Sequence, residues 1–577
     1  MPVYDALSRQ DQVTHILCRH EQGCAFAAQG YARSTGKVAV CMATSGPGAT
    51  NLITGIADAH LDSIPLLVIT GQVETGLIGT DAFQEVDILG MTQGIVKHNF
   101  QVTDPDKLAQ TVLDAYTLCQ SGRPGPVLID LPKDIQKADV SNLEHSWNEH
   151  IHRPVSNKVA SEAQVTEVIH WVKQAIRPVL LYGGGIKIAN AEAMAIKFAE
   201  TCGLPVTTTL NCVGLLPSNH PLYLGMIGMH GTALANDTIQ ATDLLISIGA
   251  RFDDRATGNN REFAPHAKII HIDIDPCEHN KNIKTDLAIT ADALDFLTKI
   301  QQNAYADISL QRQPQRPTHL TETDVAEPND NGTNEDDSNE VISSPHFIWQ
   351  LSQQAKADCL VTVDVGQHQM WVAQYYGFTH AKQFFSSSGL GTMGFGLPAA
   401  IGVQLAQPDK QVINITGDGS FMMNLQELAT VKRYNLPLKI ILFNNQHLGL
   451  VRQQQELFYD ERYSAVDLSD NPNFSELVRA FGFDTATISK AGQSIAAISW
   501  LTNHSGPAFL EVAIPAQQNV WPFVVPGQSN SVRLTAASNR MHKQESICQQ
   551  VGIVTTIQPV KQPSIQKTNN QVHTHVT

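Results

Sequence analysis

Short apolar runs separated by amphipathic, helix-length stretches recur along most of the chain. In residues 1–150 such runs fall at 38–43, 65–70 and 126–131. The rhythm returns over 163–303, with runs at 178–182, 204–208, 244–248 and 268–274. A third block, 346–527, carries runs at 360–365, 412–415 and 438–443. Strand-length runs without polar alternation are buried on both faces, and alternation with helices predicts βαβ units and parallel sheets. The expected fold class is α/β, with three doubly wound parallel-sheet domains. Two stretches break the pattern. Between Thr318 and Pro345 there are eight acids and no Lys or Arg, which predicts a flexible acidic linker over 304–345. Residues 528–577 are polar, Gln-rich and weakly patterned, and are expected to form a disordered or loosely attached tail.

The first and third blocks share a layout. Run 38–43 leads into Thr44-Ser45-Gly46-Pro47-Gly48, a helix-like segment, Pro65 and a second run. Run 412–415 leads into Thr416-Gly417-Asp418-Gly419-Ser420, a helix-like segment, Pro437 and another run. This predicts two related domains flanking a different one.

Composition narrows the function classes. A chain of 577 residues suggests three or four domains at roughly 150 residues each, enough core to fold without staples. The net charge of −16, from 39 basic and 55 acidic residues, argues against a nucleic-acid partner. No apolar run is long enough for a membrane span. The start shows neither a basic n-region nor an apolar h-region, and the nine cysteines are scattered without a CxxC pair, so a cytoplasmic location with reduced thiols is expected.

The strongest chemical signal is Gly417-Asp418-Gly419-Ser420 followed by Asn444-Asn445. Each follows a predicted strand, and neighbouring parallel strands would bring both to one carboxyl edge. The glycines permit close backbone approach to a ligand. Asp418, Asn445, a backbone carbonyl, two phosphate oxygens and a water would complete an octahedral Mg²⁺ site. A plain Asp-Gly turn beside an unrelated Asn pair is the bland alternative.

This motif, with His20-Glu21-Gln22, Thr44–Asn51, Asp81-Ala82-Phe83-Gln84-Glu85, Ser121–Val127 and Gly391-Thr392-Met393-Gly394, resembles the catalytic large subunits of the acetolactate synthase (acetohydroxyacid synthase) family. The resemblance runs from residue 1 to about 527 and implies thiamine diphosphate, Mg²⁺ and FAD as cofactors. It implies that pyruvate is decarboxylated and its two-carbon unit passed to a second pyruvate or to 2-ketobutyrate, the first common step of branched-chain amino acid biosynthesis. It also implies a homodimer or tetramer with active sites at the interface, and a small regulatory subunit.

The resemblance assigns roles. Glu21 would hold N1′ of the aminopyrimidine, although the local sequence alone reads better as a solvated acid at a helix N-terminus. Met393 would be the wedge that bends the cofactor, beside Gly391. Gln367, His368, Gly417, Gly419, Ser420, Leu448 and Gly449 would surround the diphosphate, with Asp418, Asn445 and the His447 backbone carbonyl on the metal. For FAD it implies Arg123, Gly183, Gly184, Gly185, Met229, His230, Gly231, Gly249, Arg251, Asp253, Arg255, Asp273 and Ile274. Arg255 would also grip the carboxylate of the second ketoacid, and Phe83, Gln84 and Lys133 would line the substrate pocket.

Two departures from the family stand out. Relatives carry a further segment, including a Gly-Tyr-Pro-Gly-Gly turn, ahead of the position matching Met1, so the first sheet is expected to lack its first strand. Most relatives place Trp where this chain has Gln454, inside the run Gln453-Gln454-Gln455 that blurs the register; Gln is the isozyme-I pattern, with little preference for 2-ketobutyrate. A pyruvate oxidase on the same scaffold, or an inactive cofactor-binding subunit, remain open alternatives. Glyoxylate carboligase is disfavoured because it lacks the residue matching Glu21.

Overall fold

The computed structural model describes residues 1–140, 158–308 and 341–536. Its strands assemble into three sheets. In the first, β1 (Ala39–Ala43), β2 (Leu66–Gln72), β3 (His98–Gln101) and β4 (Pro126–Pro132) take the order β1-β2-β4-β3. The second holds β5 (Pro178–Tyr182), β6 (Val206–Thr208), β7 (Tyr223–Met226), β8 (Leu244–Ile248), β9 (Lys268–Asp273) and β10 (Leu287–Thr290) in the order β10-β9-β8-β5-β6-β7. The third holds β11 (Leu360–Val363), β12 (Phe384–Ser386), β13 (Val412–Gly417), β14 (Lys439–Asn444), β15 (Asp484–Ile488) and β16 (Ala508–Ala513) in the order β12-β11-β13-β14-β16-β15. Every pairing in these sheets is parallel. Strands β4, β5 and β8 are buried along their whole length, as sheets covered on both faces require.

The repeated layout is a repeated topology. The order β1-β2-β4-β3 is the same permutation as β13-β14-β16-β15. The third sheet continues past β13 into β11 and β12, whereas the first sheet ends at β1. There Val40 points outward and is 51% exposed.

Five helices position the chemistry: α1 (Glu21–Thr35), α2 (Ile53–Leu61), α3 (Gly396–Ala406), α4 (Asp418–Asn424) and α5 (Gly449–Phe458). Residues Gly396 to Gln404 of α3 are all buried, the mark of a core helix. Helices α1 and α3 meet backbone to backbone. A Cβ on Gly30 would lie 2.1 Å from the Ala399 carbonyl oxygen, and one on Gly402 would lie 1.8 Å from that of Ala27. Beside this crossing Phe26 meets Phe395 edge-on at 5.4 Å, and the Arg33 guanidinium sits 5.1 Å over the Phe395 ring.

Met1–Leu534 forms one packed unit, and it includes the start of the expected tail. Strand β17 (Phe523–Val524) pairs antiparallel with β18 (Arg533–Leu534). Asn530 is fully buried and donates to the Ala256 carbonyl at 2.9 Å, while Arg533 makes a bidentate pair with Asp237 at 2.6 and 2.7 Å. The polar residues of 528–534 are thus polar because they hydrogen-bond to the middle of the chain, and order here extends beyond the expected boundary at 527. Residues 537–577 lie outside the described residues. So do 309–340 of the expected linker; its described ends belong to the helices Ala293–Ile308 and Ser344–Gln354. Among the described residues no helix is long and apolar enough to cross a membrane.

Candidate active site

Strands β13 and β14 end side by side, with Gly417 opposite Phe443. The residues that follow each strand therefore meet at one sheet edge. Asp418 opens α4 and is 2% exposed; its carboxylate faces the backbone amides of Gly419, Gln446 and His447, and Asn471 Nδ2 donates to its Oδ2 at 3.4 Å. Burial pushes its carboxyl up to about 7 against those amides. Asn445 accepts the His447 amide at 3.0 Å and donates to Gln367 at 3.3 Å. Gln446 turns the chain with φ of 56°. The turn is braced by Leu448 N to Val466 O at 2.9 Å and Leu468 N to Gln446 O at 2.8 Å.

Three side chains converge above Gly419. A Cβ there would lie 2.8 Å from Leu448 Cδ2, 3.2 Å from Leu468 Cδ1 and 3.5 Å from Met393 Cε. Beside it, His368 is buried against Gly417, whose Cβ would meet the ring at 2.9 Å. Burial pushes its imidazole down to about 3, so it is neutral, and Nε2 is buried without a protein partner. Ser420 donates to the Val365 carbonyl at 2.8 Å, and Gln367 donates to the Gln518 carbonyl at 2.8 Å. Gly449 leaves room for Gln367, whose Oε1 would lie 2.1 Å from a Cβ there.

The loop carrying Met393 is held by acids that the sequence reading did not single out. Asp364 accepts the amides of Gly394 at 2.9 Å and Gly396 at 3.2 Å, and burial pushes its carboxyl up to about 6. Asp62 accepts the amides of Ser388 at 3.0 Å and Gly389 at 2.9 Å. Asp58 accepts the hydroxyls of Ser387 and Thr392. Arg33 joins the pair, 2.9 Å from Asp62 and 3.4 Å from Asp58. Burial and the charge of Asp62 push Asp58 up to about 6, whereas Arg33 and the Ser388 amide overcome burial and keep Asp62 below the usual carboxylate range. Two acids four apart in the apolar stretch Ile56-Ala57-Asp58-Ala59-His60-Leu61-Asp62 were the available signal.

The first sheet gathers a second group at its own carboxyl edge. Glu21 begins α1, which His20 caps by accepting the Gln22 amide at 3.1 Å. Its Oε2 accepts Asn51 Nδ2 at 3.0 Å, and Oε1 lies 3.4 Å from where a Gly48 Cβ would be. Gly46 leaves space for the backbone of Gln84, whose φ is 61°. Phe83 next to it is 88% exposed. Lys133, just past β4, lies 3.7 Å from Glu74, just past β2. Glu21, Phe83, Gln84 and Lys133 do not line the cleft described next.

A cleft of about 340 Å³ runs along the carboxyl edge of the second sheet. Its walls include Arg123, Gly184, Gly185, Met229, His230, Gly249, Arg251, Asp253, Arg255, Asp273 and Ile274, and it reaches Gly391 and Gln454. Gly183 and Gly231 are not in the wall. A Cβ on Gly183 would strike the Gly249 carbonyl at 2.1 Å and one on Gly231 the Met226 carbonyl at 2.5 Å, so both are glycine for packing. Asp273 is 8% exposed, accepts the Asp275 amide at 2.9 Å, and is pushed up to about 6 by burial. Arg123 bonds Ser63 at 2.9 Å and Glu278 at 2.7 Å. Burial pushes His230 down to about 4.

Thiamine pyrophosphate enzyme domains match along the whole arrangement: the N-terminal TPP binding domain over residues 1–91, the central domain over 165–300 and the C-terminal TPP binding domain over 364–512. The chain is 50% identical to the acetolactate synthase isozyme 2 large subunit of Escherichia coli K12, over 93% of this chain and 95% of that protein. It is 46% identical to the isozyme 1 large subunit of the same organism, over 92% of each. It is 44% identical to the acetolactate synthase of Arthrospira platensis, over 92% of each. The chain belongs to the acetolactate synthase family. It is a thiamine-diphosphate-dependent enzyme, and its three parallel sheets are the three domains of that family.

Within this acetolactate synthase scaffold the glutamine run is unambiguous. Gln453 is fully buried, donating to the Val520 carbonyl and accepting the Val520 amide, both at 2.9 Å. Gln455 accepts the Ser464 amide at 3.0 Å. Gln454 alone of the three lines the cleft. The helical period of α5 places 453 inward and 454 on the adjoining, open face.

Proposed function

We propose that this site makes acetolactate from two molecules of pyruvate, with 2-ketobutyrate as an alternative second substrate, on thiamine diphosphate held by Mg²⁺. The observation that carries the reading is the convergence of Asp418 and the 445–447 turn beneath Met393 and Leu448. The residues present fit a diphosphate. His368 Nε2 is a buried polar atom without a protein partner, and glycine at 417 and 419 lets His368, Leu448, Leu468 and Met393 gather close over the strand end. They also fit a hard cation. Asp418 would ligate it with its carboxylate, Asn445 with its amide oxygen and His447 with its carbonyl, the diphosphate supplying further oxygens.

When bound, thiamine diphosphate supplies the electron sink for losing carbon dioxide from a 2-ketoacid. The chain does the rest. Glu21 holds a proton at Oε1 while Asn51 fixes Oε2, so one oxygen is free to exchange with the aminopyrimidine. Met393, on a loop held by Asp364, Asp58 and Asp62, would be the apolar wedge against which the cofactor's rings rest. Arg255 pairs with the carboxylate of the second ketoacid, and Gln84, Phe83 and Lys133 close the pocket from the first sheet. In this reading the Glu21 group comes from one copy and the Met393 group from a second, in a homodimer with its sites at the interface. The exposure of Phe83, Leu390, Met423 and Val451, at 88%, 41%, 50% and 47%, supports a covering partner. The second-sheet cleft suits FAD: Asp273 could accept a ribose hydroxyl and Arg123 would complete the flavin site. A small regulatory subunit is proposed because relatives are named large subunits, and a cytoplasmic location because the described cysteines are all free thiols.

Assay of acetolactate from pyruvate, with each of thiamine diphosphate, Mg²⁺ and FAD omitted in turn, tests the reading. Activity lost on omitting thiamine diphosphate or Mg²⁺ is expected. Pyruvate consumption without acetolactate would overturn it.

A further inference from the structure

The chain on either side of Glu21 is held by residues of the third domain. Tyr434 Oη accepts the Leu17 amide at 2.7 Å, and Glu427 Oε1 accepts the amides of Arg19 at 2.9 Å and His20 at 3.0 Å. Asn424, the last residue of α4, donates to Gln22 Oε1 at 3.4 Å and to the Gly394 carbonyl at 2.8 Å. Glu21 thus sits among contacts at 17, 19, 20 and 22 that all come from 424–434, while its own Oε2 accepts Asn51 Nδ2. Glu427 is the centre of this clamp. It is fully buried, closes the turn Leu425–Glu427, and its Oε2 accepts the Thr430 hydroxyl at 2.6 Å. Its carboxylate lies at the N-terminus of α1, where free amides and the helix dipole favour a negative group. Gly23 leaves it room. A Cβ there would lie 2.6 Å from Glu427 Oε1 and 3.0 Å from its Cδ.

We propose that Glu427 is a positioning residue for Glu21. It fixes the two residues from which the chain turns into α1, and so sets where the Glu21 carboxyl meets the aminopyrimidine. This role presupposes Glu21 as the proton-relay residue proposed above. Two backbone anchors immediately before Glu21, with Asn51 on its side chain, leave the carboxyl little freedom, which is the preorganisation a proton relay needs. Glu427 follows closely on Asp418 in the sequence, yet it acts on the carboxyl that its own chain lends to the partner's cofactor.

Full-length Glu427→Ala, Glu427→Gln and Gly23→Ala are compared with the parent. Without cofactor, amide hydrogen exchange in the peptide spanning 17–24 should quicken about tenfold or more in Glu427→Ala, the worth of a bond to a charged acceptor. With thiamine diphosphate and Mg²⁺ bound, exchange of the cofactor's C2 hydrogen for deuterium should slow about tenfold or more, toward the roughly 10²-fold that a 1 Å misplacement costs, while calorimetric cofactor affinity stays as in the parent. Glu427→Gln keeps an oxygen for both amides and offers its NH₂ to the Thr430 hydroxyl, so it should recover most of the C2 exchange rate. Gly23→Ala, whose methyl displaces the carboxylate, should behave like Glu427→Ala and carries the measurement if that variant does not fold. Parental C2 exchange in Glu427→Ala, or a loss that Glu427→Gln does not recover, overturns the inference. Glu21→Gln is measured alongside. Parental C2 exchange there removes the role of Glu21 and this inference with it, whereas slow exchange there with parental exchange in Glu427→Ala removes Glu427 alone. Where refolded mixtures of Glu21→Gln and Asp418→Ala complement each other, Glu427→Ala should regain activity with Asp418→Ala and not with Glu21→Gln. Any other pattern there overturns the inference.

Discussion

Of the residues in the proposed site, Glu21 and Gln454 are the most open to single substitutions. Glu21→Gln keeps the shape and the Asn51 contact of one oxygen but loses the titratable proton. It should bind thiamine diphosphate as the parent does and turn over about 10²-fold more slowly or worse, the scale of a lost acid–base group. Calorimetric binding together with acetolactate assay reads both halves. Gln454 lines the cleft where an indole would offer apolar surface to the extra methyl of 2-ketobutyrate. An amide offers little such surface and prefers a polar neighbour. The parent should therefore give products in a ratio close to that of the supplied ketoacids. Gln454→Trp should shift that ratio toward acetohydroxybutyrate by about tenfold, the lower end of what one methylene contact supplies. Competition with both ketoacids checks it, and a parent already favouring 2-ketobutyrate by tens of fold would contradict the expectation. The 46% identity to isozyme 1 and 50% to isozyme 2 do not divide the question.

The elements show which parts of the structure were legible in the sequence. The apolar runs at 178–182 and 244–248 coincide with β5 and β8, because strands buried on both faces leave no polar interruption. The Asp418–Asn445 pairing was legible for the same reason, each residue following a strand by one position. The hold on Met393 was not, because Asp58, Asp62 and Asp364 act across long sequence separations on a loop that contains no acid itself. Gly183 and Gly231 were expected at the FAD site, and close packing by itself also requires glycine at both. Lys187, just after the glycine triplet, gives an element-level prediction. Its Nζ finds the Val213 carbonyl at 3.3 Å, and burial pushes it down to about 8 from 10.5. Below pH 8 both folded and unfolded chains hold the proton, and burying the charge costs stability. As pH rises from 8 to 10.5 the folded chain sheds it first, and the cost disappears. Lys187→Met should therefore raise stability at pH 7 by about 1–2 kcal/mol, with the gain shrinking by pH 9.5. Thermal melts at the two pH values measure it. Gly402→Ala should act oppositely, lowering stability by about 3 kcal/mol or more, since its methyl would meet backbone rather than a movable side chain.

At the scale of the whole molecule, the two edges that the proposed site brings together belong to domains with the same strand permutation. Two copies arranged about a two-fold axis would each lend Glu21 to the other's Asp418. Glu21→Gln and Asp418→Ala chains should each be inactive alone. Mixed by unfolding and refolding together, half of the pairs would be mixed and one of their two sites intact, restoring about a quarter of parental activity. No recovery would place the whole site within one chain. The first and third domains of each copy are joined where α1 and α3 touch without intervening side chains. Most joints between domains can drift, because a larger residue on one side is answered by a smaller one opposite. Here there is nothing smaller than hydrogen to retreat to, on either helix. Positions 30 and 402 are therefore closed to stepwise change. Divergence among descendants of this chain has to run through its outer faces and loops, turning about a joint that stays as it is.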